Sequence, residues 1–265
     1  MCRLLAMPPN TLQEEAHDLL RGLEQHNTDG VGSAYVSGTQ FVVTKYPMAY
    51  SEAKTKGLKI FSHMPHHGWT IAHVRAASVG SVAIVNTHPF VKGNLCVVHN
   101  GSFNNHGLVK NALRGFAKFS GETDSEVAAF LMHRLGPAYF YQTITGDGAF
   151  LALNRDGSLF VVNTGGDIEL ANKDGKVYIA SRLWGMKNTD YHRRIFIKFD
   201  KHGKKLISDE EKVSGYNSSR YDRNSISEDT GRTLKQTTIP MSNEHESYKK
   251  RYHKVGGGYL WTDYD

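Results

Sequence analysis

Apolar positions along the chain change period several times before residue 200 and lose any period afterwards. Residues 2–6 form a short apolar run that predicts a first strand. Leu12, Ala16, Leu19, Leu20 and Leu23 then recur at helical spacing, which predicts a helix over about 11–25 with Thr11 as its N-cap. Two runs at 31–37 and 40–45 flank Gly38-Thr39 and predict a hairpin. Further strands are expected at 70–76 and 95–99, and helices at about 104–115 and 125–135. Strands are then expected at 148–153, 158–163, 167–171, 176–181 and 193–199. Asn154-Arg155-Asp156-Gly157 and Asn172-Lys173-Asp174-Gly175 read as turns. Each lacks the spaced oxygen ligands and closing glutamate of a calcium loop. Strands, two helices and more strands predict an α+β fold in which two sheets pack face to face beneath helices.

After residue 200 the pattern gives way to Ser, Asn, Lys, Asp and Tyr with few aliphatics. The expected division is a domain over 2–200 and a polar, Tyr-rich extension over 201–265, extended or partly disordered from about 205. Tyr248, Tyr252, Tyr259, Trp261 and Tyr264 are the residues able to dock it. The net charge of +6 is spread along the chain, without a long block of like charge beyond Lys249-Lys250-Arg251. Nucleic acid is therefore not the expected partner. No apolar run reaches the roughly 20 residues that span a bilayer, and Pro8-Pro9 interrupts the start too early for a signal-peptide core. No membrane partner and a cytoplasmic location are the resulting expectations.

Two cysteines, Cys2 and Cys96, are too few for a disulfide framework. Cys2 stands out by position: removal of Met1 places a thiol and a free α-amine on one residue. A thiol with reference pKa near ~8.5 is mostly protonated at neutral pH, and an α-amine near ~7.7–8.0 can take its proton. Four further segments carry chemistry. Arg75, inside the strand-like Ala72–Ser78, offers a fork for a carboxylate. Asn100-Gly101 ends an apolar strand and can direct a side-chain N–H and a backbone N–H at one oxyanion. Gly121–Glu126 precedes a helix and offers carboxylates for an ammonium group, and Asn86–Phe90 is a turn between the Arg and Asn-Gly strands. His63, His66, His67 and His73 fall in one window, but no Cys or carboxylate joins them at a familiar metal-ligand spacing. No metal and no cofactor are expected.

Met1-Cys2-Arg3-Leu4-Leu5, Asp29-Gly30-Val31-Gly32, His73-Val74-Arg75, Asn86-Thr87-His88-Pro89, His99-Asn100-Gly101 and Glu122-Thr123-Asp124-Ser125-Glu126 occur in order over roughly residues 2–185. This set resembles the class II glutamine amidotransferases, N-terminal-nucleophile hydrolases. The resemblance implies a four-layer αββα sandwich. It also implies roles: Cys2 as nucleophile, Asn100 and Gly101 as oxyanion donors, Arg75 and Asp124 as holders of the substrate carboxylate and ammonium. Backbone near Ser78 and the 27–32 loop would close over the ligand. Arg3 after the cysteine looks like the compact standalone branch, which includes γ-glutamyl hydrolases of ergothioneine biosynthesis; Gly usually follows in the large sugar and purine enzymes.

Departures from the pattern are Ala76 in place of an aromatic, Ser78-Val79 in place of Thr-His, and Arg182 in place of an acidic residue after Ser181. No synthase-like segment follows within the 265 residues. The expected activity is release of ammonia from glutamine through a γ-glutamyl thioester, for a separate synthase or acceptor protein. Two alternatives stay open: a γ-glutamyl amide hydrolase that needs no acceptor, and a non-catalytic binding module of the same fold.

Overall fold

The computed structural model describes residues 2–61, 64–103, 105–113, 115–144, 146–183, 186, 189–212, 252–255 and 258–261. Contacts divide the chain into units Met1–Ser214 and Gly215–Asp265. In the second, β13 (Tyr252–Val255) pairs antiparallel with β14 (Gly258–Trp261). Met1, His63, Tyr248, Lys249–Arg251 and Tyr264, singled out above, lie outside the described residues.

The first unit is built on β1 (Arg3–Met7), and the reason is its composition. Leu4 and Ala6 on one face and Leu5 and Met7 on the other are all fully buried, so an uninterrupted apolar run, not an alternating one, suits this central strand. It pairs antiparallel with β4 (Thr70–Arg75) and β10 (Lys176–Ala180), with Leu4 opposite His73. Outward from β4 come β2 (Gly30–Ser37) and β3 (Gln40–Tyr46), joined at Gly38 with φ +61°. On the other side β9 (Glu169–Lys173) follows β10 through Asp174-Gly175, both at positive φ.

The second sheet holds β5 (Phe90–Lys92), β6 (Leu95–Gly101), β7 (Gly148–Asn154) and β8 (Leu159–Asn163) in sequence. The long β11 (Thr189–Phe199) connects the sheets: its start pairs with β9 and its end with β8. β12 (Lys205–Lys212) then lies against β11. Eight residues expected at the start of a loose extension thus form a strand, because β11 leaves an edge for them to pair with.

Three apolar layers separate the elements. Leu4, Ala6, Ile71, Val98, Leu151 and Ile197 fill the space between the sheets. Leu5, Met7, Ala72 and Val74 face α1 (Gln13–Glu24) and α2 (Tyr50–Thr55). Val97, Phe150 and Val162 face α4 (Asp124–Leu135) and α5 (Pro137–Thr143), with α3 (His106–Ala112) beside them. The result is the expected α+β sandwich. Each fully buried aliphatic or aromatic side chain contributes about 1.5–3 kcal/mol to it.

Local differences have local causes. Thr11 does not cap α1; its hydroxyl donates to Pro8 O, and Leu12 stays 72% exposed outside the apolar stripe of Ala16, Leu20 and Leu23. Helices α2 and α5 and strand β5 are too short to show a period, and none was expected. Among the described residues no helix is long and apolar enough to cross a membrane.

Candidate active site

Cys2 immediately precedes β1, and alternation along the strand puts it on the face of Leu4 and Ala6, toward the opposite sheet. It is partly buried, and its thiol donates to Ala76 O at 3.4 Å. Burial pushes the thiol above its usual pKa; the Ala76 contact and the nearby Arg75 work against that, and Asp124 adds to it. Those charges reach Cys2 because Arg75 ends the neighbouring β4 and Asp124 begins α4.

Arg75 is 2% exposed, and its guanidinium donates to Ser81 O (2.9 Å), Val79 O (2.9 Å) and Gly80 O (3.2 Å). The same loop is held from the other side. Glu122 accepts from Ser81 N at 3.1 Å and from Asn86 Nδ2 at 3.1 Å, and these donors hold its carboxyl below the usual range. Asn86 also donates to Ser81 O at 3.1 Å. Asp29 takes the Ala77 N–H at 2.8 Å. Ser78 lies exposed on this loop and makes none of these contacts.

Asp124 is 9% exposed, accepting from Phe103 N at 2.9 Å and from the Ser125 hydroxyl at 3.3 Å. Among the described residues neither Arg75 nor Asp124 belongs to an ion pair. A buried cation and a buried anion, each hydrogen-bonded but neither ion-paired among the described residues, both act on one thiol, an arrangement that complements a zwitterion.

Asn100 points toward the same face. Its Nδ2 donates to Ser181 Oγ at 3.2 Å, and its Oδ1 is buried without a partner. Ser181 Oγ also accepts the Leu4 N–H at 3.1 Å, so it joins the Asn100 strand to the Cys2 strand. Gly101 follows with φ +141°, and a Cβ there would lie 2.2 Å from Asp147 O. Only glycine fits this turn. Beneath Asn100, His73 Nε2 donates to His99 O at 3.0 Å, anchoring the backbone just before the Asn-Gly pair.

The described histidines of the 63–73 window serve separate parts of the fold. His73 is buried and stacks on His88 with ring centroids 3.9 Å apart, while His66 bonds to Asn10 on a separate loop. No group of three His, Cys, Asp or Glu able to hold a metal occurs among the described residues. Cys96 is a buried free thiol in the core, not a partner of Cys2. Sequence reasoning brought Cys2, Arg75, Asn100, Gly101 and Asp124 forward but gave Ser181, His99 and Ser125 no role. The first lies 177 residues from Leu4 and 81 from Asn100, the two residues it joins, a link that no local pattern carries.

Residues 1–181 match the family described as class-II glutamine amidotransferases. The chain belongs to that family. Class II glutamine amidotransferases are enzymes, and the similarity to named members is partial. Over 136 residues, half of this chain, it is 31% identical to the glutamine–fructose-6-phosphate aminotransferase of Pectobacterium atrosepticum, covering 22% of that protein. Over 68 residues it is 46% identical to the same enzyme from Buchnera aphidicola, covering 10%. The chain thus matches about a fifth or less of the length of these curated relatives.

Two solved structures share the fold of this chain. The glutamine phosphoribosylpyrophosphate amidotransferase of B. subtilis superposes with a TM-score of 0.63 at 19% identity, covering 82% of this chain and 50% of the other. A protein from Pseudomonas aeruginosa described as a predicted glutamine amidotransferase gives 0.50 at 18% identity, covering 78% and 100%.

Proposed function

We propose that this amidotransferase hydrolyses the side-chain amide of glutamine through Cys2 and releases ammonia for a separate acceptor protein. The observation that carries the reading is a buried Arg75 and a buried Asp124, neither in an ion pair among the described residues, whose charges both act on the Cys2 thiol. Glutamine offers the matching α-carboxylate and α-ammonium at one end and an electrophilic amide carbon at the other.

Once Met1 is removed, the Cys2 α-amine takes the thiol proton and the sulfur attacks the amide carbon. Negative charge moves to the amide oxygen, where Asn100 Nδ2 and the Gly101 N–H receive it. For this, Asn100 Nδ2 exchanges its Ser181 contact for the oxyanion or shares it. The Cys2 α-ammonium returns the proton to the leaving nitrogen, and the C–N bond breaks to give ammonia and a γ-glutamyl thioester. Water, deprotonated by the same amine, then attacks the thioester and releases glutamate and the thiol. Arg75 keeps its loop carbonyls and turns remaining N–H donors to the α-carboxylate; the Ser78 segment covers the ligand.

The test uses full-length protein with the N-terminus checked by mass. A diazoketone analogue of glutamine should label Cys2, and glutamine should yield equimolar glutamate and ammonia. Faster turnover of γ-glutamyl peptides than of glutamine would reassign the substrate and remove the need for an acceptor. No labelling and no turnover would leave only a binding module.

A further inference from the structure

The Asp124 carboxylate is not held by α4 alone; a hydrogen-bonded line runs into it from β6. His99, whose side chain projects from β6 to the face opposite Asn100, is 2% exposed and stacks parallel on Phe150 at 4.3 Å. Its Nδ1 lies 3.0 Å from Ser125 Oγ, and Ser125 Oγ lies 3.3 Å from Asp124 Oδ1. The other ring nitrogen, Nε2, is buried with no partner.

With Asp124 as a carboxylate, one proton arrangement satisfies both contacts as hydrogen bonds. Asp124 accepts only, so the Ser125 hydroxyl hydrogen points to Oδ1 and a Ser125 lone pair faces His99. His99 therefore carries its hydrogen on Nδ1, which leaves the buried Nε2 as a bare nitrogen. Burial holds the imidazole neutral, against the pull of the Asp124 charge. The second Asp124 oxygen takes the Phe103 N–H at 2.9 Å, so both carboxylate oxygens are aimed by fixed donors.

We infer that His99 and Ser125 are positioning residues, which aim the Asp124 carboxylate at the α-ammonium of the substrate through the line His99 Nδ1–H, Ser125 Oγ–H, Asp124 Oδ1. The inference rests on the proposed role of Asp124. It also gives His99 two functions in one strand: its carbonyl, held by His73, sets the backbone before the oxyanion donors, and its ring sets the ammonium site on the opposite helix.

The discriminating substrate is glutaramate, which is glutamine without its α-amine. Ser125→Ala removes both hydrogen bonds of the line and His99→Phe removes the one to Ser125, and the phenyl ring preserves the stack on Phe150. For glutamine each should lower kcat/KM about tenfold, mainly through KM, as expected for a hydrogen bond to a charged group. For glutaramate both should match the parent protein. Ser125→Thr keeps the hydroxyl and His99→Asn places an amide N–H near Nδ1, so both should stay near parental values on both substrates.

Equal loss on the two substrates, or no loss on glutamine, overturns the inference. Asp124→Asn separates this failure from failure of the underlying reading. Selective loss of glutamine in Asp124→Asn with unselective loss in Ser125→Ala and His99→Phe rejects the relay alone. Unselective loss in Asp124→Asn, or a parent protein inactive on both substrates, rejects the ammonium role and the relay with it.

Discussion

Ser181 Oγ accepts hydrogen bonds from Asn100 Nδ2 at 3.2 Å and from the Leu4 N–H at 3.1 Å, so one hydroxyl sets the spacing between the oxyanion side chain and the nucleophile strand. Ser181→Ala leaves a buried amide and a buried backbone N–H without that acceptor. The variant should lose about 1–3 kcal/mol of stability and kcat should fall about tenfold. Urea unfolding and steady-state kinetics with glutamine check it. Unchanged kcat with lowered stability would make Ser181 a clamp between strands and nothing more.

Gly101→Ala should be far more damaging than its size suggests. The added Cβ meets Asp147 O at 2.2 Å in a backbone conformation with φ +141°, and the conformational part alone is worth about 1–3 kcal/mol. Gly107→Ala is the contrast: a Cβ there meets nothing within 4 Å inside α3, and should stabilise by about 0.5–1 kcal/mol. Thermal unfolding of the two variants should move in opposite directions.

The thiol of Cys2, raised by burial, is protonated at neutral pH and depends on a base. A form with extra residues before Cys2 has no α-amine there, and should lose glutamine hydrolysis by at least about 100-fold. Alkylation of Cys2 should still proceed in that form and accelerate as pH rises above 8. Full activity with an N-terminal extension, verified by intact mass, would rule out the amine as base.

Acid should destabilise the protein before its carboxylates titrate. Burial lowers His73 to about 3 and His88 well below its ordinary value, with the cations Arg75 and Lys45 also facing His88. Both imidazoles are neutral when folded, and each takes a proton near pH 6.5 when unfolded. Their effect is absent above pH 6.5 and grows as pH falls, by up to about 1.4 kcal/mol per unit for each. Urea midpoints at pH 7.5, 6 and 5 should decline steadily; a flat profile over that range would show that the pair titrates normally.

Much of the candidate site was legible in order along the chain because each member has a local signature. A thiol at position 2, an Arg within an apolar strand, an Asn-Gly ending another strand and an Asp opening a helix are each written in neighbouring residues. Strands and long helices were legible for the same reason: burying one face or both requires a period that composition displays. Helices α2 and α5 and strand β5, at three to seven residues, are too short to carry a period.

What only the tertiary structure decided is which side chains meet. The Ser181 link between β1 and β6, the stacked His73 and His88, and the line from His99 to Asp124 all cross between elements. The strand at 205–212 belongs with them, since its polar sequence has no strand period and it forms by pairing with the β11 edge. By itself the sequence determined the chemical groups and the apolar periods, since both are properties of neighbouring residues. Their distances and protonation arise from burial and from how the folded chain brings those groups together.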